Sequence, residues 1–212
     1  MERLTTRQQP GLTRREVLRQ LALAVTAAGT GAFNLEAARV VHALAGEARA
    51  QEGGYTPAAL DAHGFRTVTR LAELIVPADA GGGSAVDAGA PEFIDLLCSQ
   101  NEELARIYAS GLSWLDEATG RAHGRRFVEA SAEQQTAMLD ALVEAERGGA
   151  SEELRAGIGF FNWVRRMTVD AYYTSPIGIA DVGYQGNQIL PAYETPREAI
   201  EFVNRKADEL GL

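Results

Sequence analysis

The side chains through which this 212-residue chain could do redox, metal or acid–base chemistry are its cysteine, its histidines and its carboxylates, and their spacing withholds most of that chemistry. Cys98 is the single cysteine. An internal disulfide, a four-thiolate iron–sulfur site and a haem-attaching C-x-x-C-H all need more than one. His42, His63 and His123 lie far apart, and none has a His or Cys three or four residues away, the spacing a helical zinc site uses. Each is expected at the surface or in helix packing. There is no G-x-S-x-G elbow, no S-x-x-K and no H-E-x-x-H, and Gly157-Ile158-Gly159 lacks the third glycine of a dinucleotide fingerprint. Gly81-Gly82-Gly83-Ser84 lacks the lysine of a phosphate loop; Lys206 is the only lysine in the chain. The pairs Glu102-Glu103 and Glu152-Glu153 fall at expected helix starts, where carboxylates favour the helix dipole. No catalytic, cofactor-binding or metal-ligating residue is assigned.

The stretch from Tyr172 to Pro191 offers recognition rather than reaction. It lacks helical period and alternates tyrosine with glycine, so it predicts a loop of some twenty residues. Large rings with polar tips on tight turns suit a protein-binding edge. Tyr172, Tyr173, Pro176, Tyr184, Gly186 and Asn187 are the candidate partner interface. The alternative is a stand-alone exported enzyme or a small-ligand-binding helical protein, with a pocket lined by Tyr172, Tyr173, Tyr184 and Trp163.

The elements that must position these residues are helical. Apolar residues recur at helical spacing in Phe65, Val68, Leu71, Ala72 and Ile75, a run that Pro77 ends, and a flexible glycine-rich connection is expected after it. Pro91 opens a short helix, and Leu104, Ile107, Tyr108, Gly111, Leu115 and Ala118 mark a longer one. Ser131 to Gln134 has capping-box form ahead of Met138, Leu139, Leu142 and Val143. A further helix starts near Ser151, and Thr195-Pro196-Arg197-Glu198 reads as a capping box with proline at the first helical position. The expected fold is all-α, an irregular bundle of about five or six helices with long loops, forming one domain over residues 51–212.

Residues 1–50 read differently. They carry seven Arg against four Glu, whereas the whole chain has a net charge of −9, so a short basic end precedes an acidic body. That balance removes the basic footprint of nucleic-acid binding. Thr13-Arg14-Arg15-Glu16-Val17-Leu18-Arg19, followed by an uncharged stretch from Leu21 to Phe33, resembles a twin-arginine export signal, with Arg14, Arg15 and Leu18 as its defining residues. The stretch is too short and too diluted for a comfortable membrane anchor. Small-x-small sites place a cut after Ala45 or after Ala50, and the sequence does not choose between them. Leu35, Ala38, Val41, Leu44 and Ala48 keep a helical apolar spacing by which an uncut leader can pack.

In order along the chain, the twin-arginine leader, Leu74-Ile75-Val76-Pro77-Ala78-Asp79, Gly89-Ala90-Pro91-Glu92-Phe93-Ile94-Asp95 and the stretch from Ser175-Pro176 to Gly183-Tyr184-Gln185-Gly186-Asn187 together resemble the gluconate 2-dehydrogenase subunit 3 family. The resemblance implies a non-catalytic small subunit. It would accompany a larger FAD-dependent dehydrogenase of the glucose–methanol–choline type, which oxidises a sugar, sugar acid or polyol, often with a cytochrome c as electron acceptor. It also implies that the small subunit carries the export address to the twin-arginine translocase for both chains. The complex is then expected in the periplasm or on the periplasmic face of the inner membrane. No cofactor is expected in this chain; FAD belongs to the partner.

Overall fold

The computed structural model describes residues 13–28, 35–149, 151–183 and 195–211. Among the described residues every regular element is helical: α1 (Arg14–Ala28), α2 (Leu35–Arg49), α3 (Ala62–Ile75), α4 (Ala90–Ser99), α5 (Glu102–His123), a 3₁₀ turn (Phe127–Glu129), α6 (Ala132–Gly148), α7 (Glu152–Tyr173), α8 (Pro176–Asp181) and α9 (Arg197–Leu210). The all-α expectation holds, but five or six helices is too few. Two of the additional helices lie in residues 14–49, and the third, α8, lies inside the stretch expected as loop.

The bundle is organised around α4, the shortest of the central helices. Its sequence APEFIDLLCS is apolar on nearly all sides, and a helix without a polar face has to be enclosed. Phe93, Ile94 and Leu97 are fully buried, and α1, α2, α3, α5 and α7 surround them. Gly89 sets the entry angle from the left-handed region, φ 79°, where a side chain is disfavoured, and Pro91 follows in the first turn, where its missing N–H costs nothing.

Local capping signals set most of the boundaries. Asp61 accepts from the Gly64 amide (2.6 Å) to start α3, and Asn101 accepts from Leu104 (3.1 Å) to start α5. At α6 the capping box of Ser131 and Gln134 is formed in both directions. The box expected at Thr195 is not formed. Pro196 occupies the N-cap, where it has no side-chain acceptor, so α9 starts one residue later than the sequence suggests and leans on an Arg197–Glu201 pair (2.9 Å) instead.

Two missing side chains let the long helices meet. A Cβ on Gly111 of α5 would lie 2.0 Å from the Phe160 ring of α7, and one on Gly157 of α7 would lie 2.1 Å from the Trp114 indole of α5. Each glycine is therefore the socket for an aromatic ring of the other helix. α6 packs on α7 through Leu139 and Leu142, with Met138 and Val143 half-buried beside them.

α1 and α2 join the same core. Leu18, Leu21, Ala22 and Val25 of α1 and Ala38 and Val41 of α2 are buried against α4, and the Asn101 amide donates to the Ala22 carbonyl at 2.6 Å. Arg14 pairs with Glu47, Arg15 is exposed, and Leu18, the third residue of the expected export motif, is a core residue. No helix among the described residues is long and apolar enough to cross a membrane.

Candidate functional site

The C-terminal end of α7 and the short α8 hold the described part of the predicted interface. Tyr172 and Tyr173 are the last two residues of α7. The Ser175 hydroxyl then receives the Gly178 amide (3.0 Å), and Pro176 begins α8. A Ser-Pro pair is a helix start in its own right, which is why the expected loop is interrupted by a turn of helix. Tyr184, Gly186 and Asn187 lie outside the described residues.

Tyr172 and Tyr173, though adjacent, do different work. Tyr172 is 3% exposed, so it is an internal brace and not the surface contact expected of it. Burial raises its hydroxyl above the ordinary tyrosine range, and the neighbouring Asp181 and Asp79 carboxylates add to the effect. Its hydroxyl meets Asp181 over Gly82, where a Cβ would stand 2.9 Å from the tyrosine oxygen and 3.0 Å from the carboxylate. Tyr173 turns outward, 45% exposed, with its ring edge-on to Tyr172 at 5.0 Å.

The glycine-rich connection after α3 is not the slack link the sequence suggests. Asp79 accepts from the Gly81 and Gly82 amides (2.8 and 2.9 Å), Asp87 accepts from the Ser84 amide and hydroxyl (2.8 Å each), and Ala85 donates back to the Val76 carbonyl at 2.9 Å. Asp79 makes an Asx-type turn and Asp87 reaches back to Ser84, so the connection is hydrogen-bonded within itself. The loop seats Gly82 on Tyr172 and Gly83 on Ile177. Val76 to Asp79 and Ser175 to Asp181, far apart in sequence, are thus brought together.

Beside them runs a groove of about 320 Å³, lined by Arg39, His42 and Arg49 of α2, by Gly89, and by Thr174, Pro176 and Ile179. Burial pushes the His42 imidazole down to about 4, opposed by a hydrogen bond to the Ala171 backbone, so it is neutral at pH 7. It lies 3.0 Å from the Thr174 hydroxyl, which donates its own proton to the Asp170 carbonyl (2.7 Å), and its ring is 4.7 Å from that of Phe93. A hydroxyl committed in this way is not poised as a nucleophile. Arg49 reaches Glu92 (3.4 Å) and Arg39 reaches Glu36 (2.7 Å). The groove can accept an apolar group between two guanidiniums; its lining residues offer no activated nucleophile.

One residue that sequence reasoning passed over organises this end of the fold. Asp95 is completely buried in α4 and accepts from the Tyr55 hydroxyl (2.7 Å) and from the amides of Ala58 (2.6 Å), Ala59 (3.1 Å) and Leu60 (2.8 Å). A carboxylate inside the apolar run Phe-Ile-Asp-Leu-Leu was the available signal, since such a group is kept only where several donors meet it.

The family model for gluconate 2-dehydrogenase subunit 3 matches residues 62–191, a span that contains the turn at Val76 to Asp79, α4 with its Asp95 hub and the Ser-Pro helix. The chain belongs to the gluconate 2-dehydrogenase subunit 3 family. No curated protein and no solved structure matches it. Within this subunit 3 chain the match runs from α3 through the predicted interface, leaving α1, α2 and α9 outside. Family membership makes the chain a component of a dehydrogenase assembly.

The other sequence candidates separate. Trp163 lines a groove between α5 and α7 that includes neither Tyr172 nor Tyr173, and lies under Arg166 at 4.1 Å; Tyr184, the fourth residue of the alternative pocket, lies outside the described residues. His63 bonds Asp116 at 2.6 Å, and Asp116 also receives the Phe127 amide at 3.0 Å, a clamp joining α3, α5 and the 3₁₀ turn. Cys98 is buried among the described residues, and burial pushes its thiol up. No group of three or more metal-ligating side chains occurs among the described residues.

Proposed function

We propose that this chain is the non-catalytic small subunit of a larger FAD-dependent sugar or polyol dehydrogenase of the glucose–methanol–choline type, which it stabilises and escorts through the twin-arginine translocase. The family match over residues 62–191 carries the proposal. Two features support it. Thr13-Arg14-Arg15 at the start of α1 has the form of the export signal, with both arginines exposed. Six of the seven large apolar side chains exposed among the described residues (Tyr173, Val182, Ile200, Phe202, Val203 and Leu210) lie from the end of α7 onward, where a subunit contact would be placed. The periplasm, or the periplasmic face of the inner membrane, is the corresponding location, with a cytochrome c as electron acceptor.

The test is purification of the tagged chain from its own host, with and without Arg14→Lys and Arg15→Lys. The expected result is a larger co-purifying chain with a flavin absorption band, recovered outside the cytoplasm for the wild type and inside it for the double variant, because lysine is a poor geometric substitute for a read guanidinium. A chain recovered alone and colourless overturns the escort reading, and an unchanged distribution of the double variant overturns the export route.

A further inference from the structure

α1 has one face made for this chain's own core. Leu18, Leu21, Ala22 and Val25 recur three and four residues apart and are buried, whereas Arg14, Arg15, Arg19 and Leu23 on its other sides are exposed. That face packs on α2 and α4. From the body of the chain, Asn101 donates its buried amide to the Ala22 carbonyl at 2.6 Å, and Glu47 of α2 holds Arg14. α2 has ties of its own, from His42 to Thr174 at the end of α7 and from Arg49 to Glu92 of α4, so it keeps its place without α1.

The same side chains are asked for twice. Arg14, Arg15, Leu18 and the uncharged stretch that begins at Leu21 are what an export receptor would read, and in the docked helix Leu18 is covered and Arg14 is engaged. Seat and receptor therefore exclude each other. A receptor meets only the fraction of chains whose α1 is off the core, and its apparent affinity falls by that fraction. We propose that α1 is an autoinhibitory latch: docked through Leu18, Leu21, Ala22 and Val25 it withholds the export signal, and its release from α2 and α4 sets the rate of export. This inference rests on the twin-arginine reading given above.

The experiment uses the full chain in its own host and loosens the seat from the body side, so that the signal itself is untouched. Asn101→Asp removes the amide that Ala22 receives and keeps an oxygen for the Leu104 amide that starts α5. Glu47→Arg, on the surface, sets a like charge against Arg14, and it carries the test alone where Asn101→Asp does not fold. Gly111→Ala, which strains the contact of α5 with α7, weakens the core elsewhere. Hydrogen exchange is expected to show the α1 amides opening about tenfold faster in Asn101→Asp, the scale of one lost buried hydrogen bond, less so in Glu47→Arg, and with no selective change in Gly111→Ala. Pulse–chase export should quicken at least about threefold in Asn101→Asp, in the same direction in Glu47→Arg, and not in Gly111→Ala. An α1 that opens faster without faster export overturns the latch alone. So does α1 exchange that neither seat variant changes, which would show that these contacts do not hold the helix. Export quickened equally by Gly111→Ala overturns it too, because general instability would then suffice. Export that ignores Arg14→Lys with Arg15→Lys overturns the twin-arginine reading and the inference with it.

Discussion

Asp95 shows how a single buried carboxylate can fix a long piece of irregular chain. Four donors from Tyr55, Ala58, Ala59 and Leu60 converge on its two oxygens, so the segment entering α3 is tied to the central helix by charge-assisted bonds. Asp95→Asn leaves one acceptor oxygen and aims an amide at donors; it is expected to cost about 3 kcal/mol, while Tyr55→Phe, which removes one neutral donor, should cost about 1 kcal/mol. Denaturant unfolding gives both numbers, and proteolysis of the asparagine variant should begin between residues 53 and 60; equal effects of the two substitutions would contradict the hub. His42 gives the fold a pH dependence of known sign. Its folded imidazole is pushed down to about 4 by burial, so the unfolded chain binds the extra proton and stability is lost as pH falls from about 6.5 toward 4. Asp170, pushed up to about 6 by burial, acts in the opposite sense across part of that window. The difference in thermal midpoint between wild type and His42→Gln isolates the histidine: the wild type should lose more on acidification, by about 2 kcal/mol once partial solvent exposure is allowed for.

Helices were legible in the sequence wherever periodicity and a cap agreed, as at Ser131–Gln134, where pattern and hydrogen bonds coincide. α8 was not, because six residues are too few to show a period and its one start signal, Ser175-Pro176, lies inside a stretch rich in glycine and tyrosine. The glycine run 81–83 looked slack for a similar reason: the aspartates that tie it, Asp79 and Asp87, act on backbone amides, which composition does not show. The disposition of the two tyrosines was not legible, because which of two adjacent rings faces out depends on where Asp181 and Gly82 lie. The close approach of α5 and α7 was likewise invisible, since a glycine in a helix announces only a loss of propensity. Gly111→Ala should therefore force the Phe160 ring aside and destabilise the chain by about 3 kcal/mol, whereas Gly120→Ala, in open space on the same helix, should stabilise it by up to about 1 kcal/mol. Urea midpoints moving in the same direction would show that the glycines do not set the helix separation.

At the scale of the whole molecule the first fifty residues pose the sharpest question, because the proposed export leader and a core element would make opposite demands on the same helices. A leader is expendable after transport. Yet α1 and α2 cover α4 with Leu18, Leu21, Ala22, Val25, Ala38 and Val41, and Ala22 accepts the buried Asn101 amide. Cutting after Ala45 or Ala50 would expose the fully buried face of Phe93, Ile94 and Leu97 and leave the Asn101 amide without that acceptor. Burying each large apolar side chain contributes roughly 2 kcal/mol, so losing several exceeds what a domain of this size holds in reserve. A chain beginning at Gln51 is therefore expected to unfold at least about 10 °C below the full chain and to expose apolar surface to a fluorescent hydrophobic dye. Its rescue by co-expression with the larger subunit would mean that the partner takes the place of α1 and α2 after processing. A truncated chain as stable alone as the full one would show that the two helices only rest on the core.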